Sequence, residues 1–205
     1  MICISKRCLV CTLSYWLLIA IPTQAQDWQG YYQAGRQAHQ QQDYQAAIAA
    51  YSQALALAPN EIKLYRLRAE AWQYLGYFKE AHQDIQTALA LAPDKPALYE
   101  ALGWLAIYEH DFPAARQALR QALRLDPEYH WARLNLGHAY LLDPQQPQAY
   151  ALAIMTWRPM RGTPLGKLTF AQALSKDLKR LGLLFPDTAS QALLDAAGTW
   201  LQHTE

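Results

Sequence analysis

A short segment that recurs three times at a constant interval is the feature of this sequence that most restricts its fold. The segment Gln53–Pro59, with the sequence QALALAP, recurs as Thr87–Pro93 and again as Gln121–Pro127. The closing prolines at positions 59, 93 and 127 are evenly spaced. A constant interval of 34 residues is typical of proteins that stack one small supersecondary unit on the next. The sequence therefore predicts an elongated solenoid rather than a fold around one central core.

Each repeat is predicted to be a pair of antiparallel helices. Apolar residues follow helical spacing in two runs, which are separated at Gln42-Asp43, Gly76-Tyr77 and His110-Asp111. A proline closes the second run of each repeat, since it removes an amide donor and disfavours helix at the residue before it. Alanines in the columns of Ala47 and Ala54 allow the helices to approach closely.

The residues shared between the repeats resemble the tetratricopeptide repeat family, whose pattern is an aromatic residue, Leu-Gly, Tyr, Ala, Phe, Ala and Pro at fixed offsets. This resemblance implies an all-α superhelix. The matching residues are Tyr31, Gly35, Ala47, Tyr51, Ala54 and Pro59 in repeat one; Tyr65, Ala69, Trp72, Ala81, Ala88 and Pro93 in repeat two; and Tyr99, Leu102, Gly103, Ala115, Leu119, Ala122 and Pro127 in repeat three.

A fourth unit follows the same pattern with several departures. It keeps Leu136, Gly137, Tyr140 and Ala149, but Arg133 stands where the first aromatic residue is expected. Prolines also lie in its turn, so its second helix is the least regular part of the predicted stack. The expected repeat domain spans residues 26–163, with repeats at about 28–61, 62–95, 96–129 and 130–163.

Two further helices without the repeat pattern are predicted in residues 164–205. The segment Arg158–Gly166 is rich in proline and glycine and is expected to be a loop. Helical periodicity resumes over Thr169–Leu181 and again after Pro186, where Asp187 or Thr188 would cap the last helix. We expect these helices to cap the solenoid, because the last hairpin otherwise exposes its stacking face. The fold class is thus an all-α solenoid of three clear hairpins and one divergent hairpin with a helical cap.

The segment 1–25 has the pattern of a cleavable signal peptide. Lys6 and Arg7 precede an apolar run from Cys8 to Ile21, which is followed by Pro22 and by small residues around Ala25. We expect cleavage after Ala25, a periplasmic or secreted protein, and no stable membrane insertion afterwards. A eukaryotic secretory route and an uncleaved anchor stay open, although the run is shorter than the roughly 20 residues of a spanning helix.

Charge and residue composition argue against several functions. The chain has 18 basic and 17 acidic residues, and loss of Lys6 and Arg7 with the signal leaves 16 against 17, which does not favour nucleic acid. All three cysteines lie at positions 3, 8 and 11, so the remainder offers no thiol as a nucleophile or metal ligand. No phosphate-binding loop, nucleophile elbow or zinc-peptidase motif occurs. We therefore expect no enzyme activity, no cofactor and no metal.

Two residue pairs are candidates for a chemical site. His130 and His138 lie about two helical turns apart, but two ligands do not make a metal site. Glu70 and Glu100 could face each other as an acid and base pair, whereas Arg66, one turn from Glu70, favours a simple ion pair on a solvated face. An enzyme would be confined to the loop around Arg158 and Arg161 and the C-terminal helices.

The family resemblance implies that the first helices line a concave groove that holds an extended peptide or a partner helix. Its basic first half suggests an acidic or C-terminal carboxylate end of the ligand, and its aromatic second half suggests an apolar or aromatic end. The groove positions implied are Tyr32, Arg36 and His39; Lys63, Arg66, Glu70 and Tyr74; Glu100, Trp104 and Tyr108; and Trp131, Asn135 and His138.

The predicted function is a protein–protein interaction adaptor or scaffold, which binds a peptide or protein segment in bacterial cell-envelope assembly or secretion. The alternative is a self-associating structural subunit that docks on an envelope or export complex, so a homo-oligomer stays open. Both functions would depend on the groove or on another surface of the stack rather than on a catalytic centre.

Overall fold

The computed structural model describes residues 27–146, 148–160, 162–165 and 168–203. The predicted signal peptide and Arg161 lie outside the described residues. The helices of the described part are α1 (Trp28–Gln40), α2 (Tyr44–Leu57), α3 (Ile62–Tyr74), α4 (Phe78–Leu91), α5 (Pro96–Tyr108), α6 (Phe112–Leu125), α7 (His130–Leu141), α8 (Ala149–Trp157), α9 (Phe170–Leu184) and α10 (Thr188–Gln202). The predicted all-α solenoid is confirmed, with four successive hairpins from α1 to α8.

The turns inside the first three hairpins occur at the predicted breaks. Gln42, Gly76 and His110 have positive φ angles of 63°, 79° and 61°, which is the left-handed conformation that ends many helices. The next helix begins at once, and in two repeats an aspartate caps it: Asp43 accepts from the Ala46 amide and Asp111 from the Ala114 amide, both at 3.0 Å. Local sequence therefore places these turns.

Close packing within a hairpin depends on a column of small residues in the first helix. A Cβ atom on Gly35 would lie 2.4 Å from the Tyr51 ring, and one on Gly103 would lie 2.5 Å from Leu119. Gly137 faces the Trp157 indole in the same way. The large residue on the second helix thus occupies the space that the glycine leaves open. This fit explains why a small residue on the first helix recurs from repeat to repeat.

The fourth hairpin is closed by a tryptophan rather than by a long second helix. Helix α8 has 9 residues, against 14 in α2, α4 and α6. Trp157 at its end is fully buried, and its Nε1 donates a hydrogen bond to the Leu134 carbonyl at 2.9 Å. The Trp200 ring of α10 lies 6.4 Å from the Trp157 ring, so α10 covers the last hairpin as a cap.

The connection from α8 to α9 is short and irregular, as predicted for this segment. A 3₁₀ turn covers Arg158–Met160, and the two-residue strands Pro164–Leu165 and Leu168–Thr169 pair antiparallel, with Pro164 opposite Thr169. Thr169 then starts α9 with a capping box, in which it pairs reciprocally with Gln172. This connection turns the chain back, so that α9 runs beside the first helices of the repeats.

The buried core is continuous through the C-terminal half of the molecule. One cluster of buried residues joins the third and fourth hairpins to α9 and α10, whereas smaller clusters serve the first two hairpins. Within the described residues, no helix has the length and apolar character of a membrane span, and no cluster of three potential ligands suits a metal ion.

Candidate functional site: the concave groove

The first helices α1, α3, α5 and α7 form one side of the solenoid, which is called the groove below. Side chains link neighbouring helices across it. Lys63 of α3 lies over the Trp28 and Tyr32 rings of α1, at 4.5 and 5.0 Å from their centroids. Between the last two of these helices, Asn135 of α7 donates a hydrogen bond to Glu100 of α5 at 2.5 Å. These contacts bring the predicted positions Tyr32 and Lys63 together, and likewise Glu100 and Asn135, on the side formed by the first helices.

The part of the groove formed by α1 and α3 is open and basic. Arg36 and Lys63 are both exposed, and the Arg36 guanidinium lies 5.8 Å from the Tyr32 ring centroid. Lys63 has one distant partner, Glu61, at 3.9 Å, and Arg36 has no ion pair in the described part of the chain. The aromatic rings hold both cations in place, and both side chains are still exposed to solvent. This area therefore favours a negatively charged ligand.

A small aromatic cluster closes the middle of the groove. The Tyr74 ring stacks on Tyr44 at 4.5 Å, and His39 contacts both rings edge-on at 5.3 and 5.8 Å. Glu70 lies 3.8 Å from His39 and 4.0 Å from Arg66, so the ion pair between Arg66 and Glu70 that the sequence favours is present. These contacts fix the side chains between α1 and α3.

The aromatic half of the groove is occupied by an arginine of the same chain. Arg180 of α9 donates a hydrogen bond from Nη1 to the Tyr74 hydroxyl at 2.6 Å, and its guanidinium carbon lies 4.5 Å from the Trp104 ring centroid. Tyr108 contacts both rings edge-on, at 6.2 Å from Tyr74 and 5.7 Å from Trp104. Asp177, one turn earlier on α9, lies 3.5 Å from Arg180.

A cavity of about 220 Å³ remains between α9 and the groove. Helix α9 contributes Lys176, Asp177 and Arg180 to it. The opposite wall comes from the first helices and contains Arg66, Glu70, Gln73, Glu100, Trp104, Trp131 and Asn135. Glu70 and Glu100 thus face the same space, together with aromatic rings and both signs of charge.

Glu100 is the most perturbed carboxyl group in this cavity. Burial raises its pKa from the ordinary 4.5 to about 7, the nearby Arg66 opposes the rise, and the carboxylates of Glu70 and Asp177 add to it. The hydrogen bond from Asn135 favours the ionised form but does not outweigh burial. Glu100 therefore exchanges a proton near neutral pH.

Three predicted groove residues form its floor rather than its exposed surface. Trp104 is 8% exposed, and Asn135 and His138 are buried. His138 lies between Trp104 and Trp157, at 5.7 and 5.4 Å, and burial lowers its pKa to about 3, with a smaller contribution from the charge of Arg180. His138 is therefore neutral, and neither of its ring nitrogens has a hydrogen-bond partner among the described residues.

Sequence reasoning missed several residues of this surface. Trp28 and Tyr44 belong to it, and an aromatic residue one turn before Tyr32 was a signal for the first. The α9 residues had no such signal, because Arg180 lies 106 positions from Tyr74 and outside the repeat. Only the three-dimensional course of the chain brings them together.

Family models support the same interpretation of the repeats. A tetratricopeptide repeat model matches residues 35–105, and a second TPR repeat model matches residues 109–143. No curated protein matches the chain.

Solved structures share the fold at low sequence identity. The MamA protein from Desulfovibrio magneticus RS-1 is 22% identical, with a TM-score of 0.57, over 68% of this chain and 78% of that one. The TPR2B domain of yeast Sti1, in complex with pHsp70, is 22% identical, with a TM-score of 0.51, over 55% of this chain and 94% of that one.

An O-GlcNAc transferase from Thermobaculum terrenum gives a TM-score of 0.58 at 22% identity over 69% of this chain. The match spans 28% of the transferase. At these identities the comparisons establish the arrangement of the helices, which agrees with the course of the groove described above.

Proposed function

This chain belongs to the tetratricopeptide repeat family, and from that premise we propose that it is a protein–protein interaction adaptor. Its partner is a peptide or protein segment that lies in the groove and places acidic groups, or a C-terminal carboxylate, over α1 and α3. The observation that carries the proposal is the pair of exposed cations, Arg36 and Lys63, held over the Trp28 and Tyr32 rings. Aromatic and arginine side chains are frequent in the energetic centres of interfaces.

The fold similarity supports binding rather than catalysis. The yeast Sti1 domain, which has the same hairpins, is in complex with pHsp70, so this architecture accommodates a protein partner. The O-GlcNAc transferase match covers 28% of that enzyme, so it supports the helical arrangement and not the activity of the whole enzyme. We assign no catalytic step to this protein.

The groove assignment is tested by charge reversal at matched positions. The partner is captured by chemical crosslinking in cells that express the full chain, and variants Arg36→Glu and Lys63→Glu are compared with wild type. Lys79→Glu is the control, because Lys79 is an exposed lysine on the second helix α4. We expect the groove variants to lose the partner, more so at low salt, and the control to keep it. Retention of the partner by both groove variants refutes the assignment.

We further propose that the adaptor acts in the bacterial cell envelope, in assembly or secretion, after removal of its signal peptide. The supporting feature is the sequence pattern of residues 1–25. N-terminal sequencing of the protein from the periplasmic fraction tests this proposal. A first residue far from Gln26, or recovery only from the cytoplasm, contradicts it.

Self-association is the second candidate function, and one surface feature favours it. Leu57, Leu91 and Leu125 occupy the same position in three repeats and are 45%, 41% and 38% exposed. An apolar row of this kind is typical of interaction surfaces. Light scattering on the wild type and on a Leu91→Lys variant distinguishes the two functions, because an adaptor that acts alone is a monomer in both samples.

A further inference from the structure

We propose that the aromatic half of the groove is a receptor for an arginine on a partner helix, and that Arg180 of α9 holds this receptor in the free protein. The proposal rests on the proposed function, because it concerns the partner of the same groove. It differs from the sequence-based expectation of an apolar ligand end near Trp104. It also gives α9 a role besides capping, since its Arg180 then competes with an arginine of the partner for the receptor.

The geometry of the receptor suits a guanidinium group. Trp104 presents its ring to the Arg180 guanidinium at 4.5 Å, and the Tyr74 hydroxyl accepts a hydrogen bond from it at 2.6 Å. Tyr108 supports both rings from the side. A guanidinium group suits this site because it stacks on aromatic faces and donates in its own plane at the same time, which a lysine ammonium does not do.

The cavity is left with a net negative charge when the Arg180 side chain moves out, because Lys176 and Asp177 of α9 stay and compensate each other. The charged groups that the first helices contribute to the cavity are Arg66, Glu70 and Glu100. Arg66 lies 4.0 Å from Glu70, so these two charges compensate each other. Glu100 accepts a hydrogen bond from Asn135 and forms no salt bridge within the described residues, so Arg66 is the one basic group that Glu70 and Glu100 share on this wall. The vacated receptor therefore favours a cation and disfavours an acidic segment.

The basic residues that α9 inserts have the spacing of one helix face. Lys176 and Arg180 both line the cavity and are one i,i+4 step apart, so one face of a helix presents both of them. A partner helix with a basic residue at the same step before an arginine reproduces this pattern. The partner we infer is thus a helical segment of the form basic-x-x-x-Arg.

Helix α9 approaches α3 through long side chains rather than by close helix packing. Its backbone packs chiefly on α10 and on the short strands, and the cavity of about 220 Å³ separates it from α3 and α5. Its apolar residues Leu174 and Leu181 are buried in the cluster that α9 shares with the third and fourth hairpins, so α9 itself stays in place when the Arg180 side chain moves. Exchange of the arginine consequently leaves the repeat hairpins intact.

The test uses full-length protein and a synthetic peptide of residues 169–186 of this chain as the probe. Binding is measured by fluorescence anisotropy to wild type and to the variant Arg180→Ala, in which the receptor is vacant. A second peptide carries alanine in place of Arg180. We expect the vacant variant to bind the arginine peptide at least tenfold more tightly than wild type does, and at least tenfold more tightly than it binds the alanine peptide.

A matched control is available on the same helix. Lys179 is exposed, neighbours Arg180 and does not line the cavity, so the variant Lys179→Ala should bind the peptide as weakly as wild type. Introducing Tyr74→Phe into the vacant variant removes only the hydroxyl acceptor and should weaken arginine-peptide binding severalfold. Circular dichroism confirms that the variants are folded, and Arg180→Gln replaces Arg180→Ala if that variant does not fold.

Equal binding of the arginine and alanine peptides by the folded vacant variant overturns the proposal, and so does equal binding by wild type and variant. Neither result affects the proposed adaptor function, which is tested separately with Arg36 and Lys63 on α1 and α3. Conversely, if the Arg36 and Lys63 variants keep the partner, the peptide measurement on Arg180 is still valid. The two failures are therefore distinguishable.

Discussion

Replacement of Glu100 by glutamine should increase stability at alkaline pH and leave it unchanged at acidic pH. The side chain lies in the cavity below α9, where burial is the main cause that raises its pKa to about 7. Arg66 opposes this effect, and the carboxylates of Glu70 and Asp177 strengthen it. Glutamine has nearly the same shape, stays uncharged and still accepts the hydrogen bond that Asn135 donates.

The sign follows from the two states of the protein. In the unfolded chain the carboxyl group titrates near 4.5, whereas in the folded protein it titrates near 7. The folded state binds more protons between these values, so the contribution of Glu100 to stability is highest below pH 4.5 and is lost as the pH rises through 7. Each pKa unit corresponds to about 1.4 kcal/mol, so a shift of this size amounts to at most about 3 kcal/mol.

The assay is urea unfolding of wild type and Glu100→Gln at pH 4.5 and pH 8. Other titrating groups contribute equally to both proteins, so the difference between them isolates Glu100. We expect free energies of unfolding that agree at pH 4.5 and an advantage of the variant at pH 8, approaching about 3 kcal/mol. A difference that is the same at both pH values refutes the argument from burial.

Three further predictions concern packing, a buried ion pair and acid stability. Gly137→Ala should lower the free energy of unfolding by about 1 to 3 kcal/mol, measured in urea, because its Cβ would meet the buried Trp157 indole. Asp84→Asn should cost about 2 to 3 kcal/mol in the same assay, since the buried Asp84 carboxylate accepts two hydrogen bonds from Arg68 at 2.8 and 2.6 Å. His138→Phe should move the acid-unfolding midpoint, followed by circular dichroism, to lower pH. Burial lowers the folded pKa of His138 from 6.5 to about 3, so the stability it contributes is lost as pH falls through this range.

Each of these predictions has an outcome that contradicts it. Gly198→Ala is the control for Gly137, because no atom lies within 4 Å of a Cβ at that helical position and alanine should be neutral or stabilising there. Equal effects at both glycines would argue against the close approach to Trp157. A loss below about 0.5 kcal/mol for Asp84→Asn would mean that the ion pair behaves as an exposed one. An unchanged acid midpoint in His138→Phe would show that another group controls acid unfolding.

The repeat period was sufficient to predict the fold because it reports a small residue on the first helix at the same position of every unit. Gly35, Gly103 and Gly137 occupy the same position of their repeats, and in each case the structure shows a large side chain in the space that the glycine leaves. The breaks at Gln42 and His110 were likewise visible as local sequence and correspond to positive φ angles.

The state of the groove could not be predicted in the same way, because it depends on contacts that occur once. His138 occupies a position that the family resemblance places in the groove, yet the indoles of Trp104 and Trp157 enclose it. Trp157 fills the end of the fourth hairpin, which no later repeat covers. Arg180 reaches Tyr74 from a helix that has no counterpart among the repeats. Periodicity identifies equivalent positions of the repeats, but it gives no information about residues that have no equivalent in another repeat.

Taken together, the two proposed recognition areas define the charge order of a partner. Arg36 and Lys63 over α1 and α3 favour acidic groups, whereas Glu100 and the rings of Tyr74 and Trp104 favour a cation. A segment in the reverse orientation would bring acid to Glu100 and base to Arg36, and both contacts would be repulsive. Opposite preferences at the two ends therefore select orientation as well as composition, since each end disfavours the wrong sign of charge.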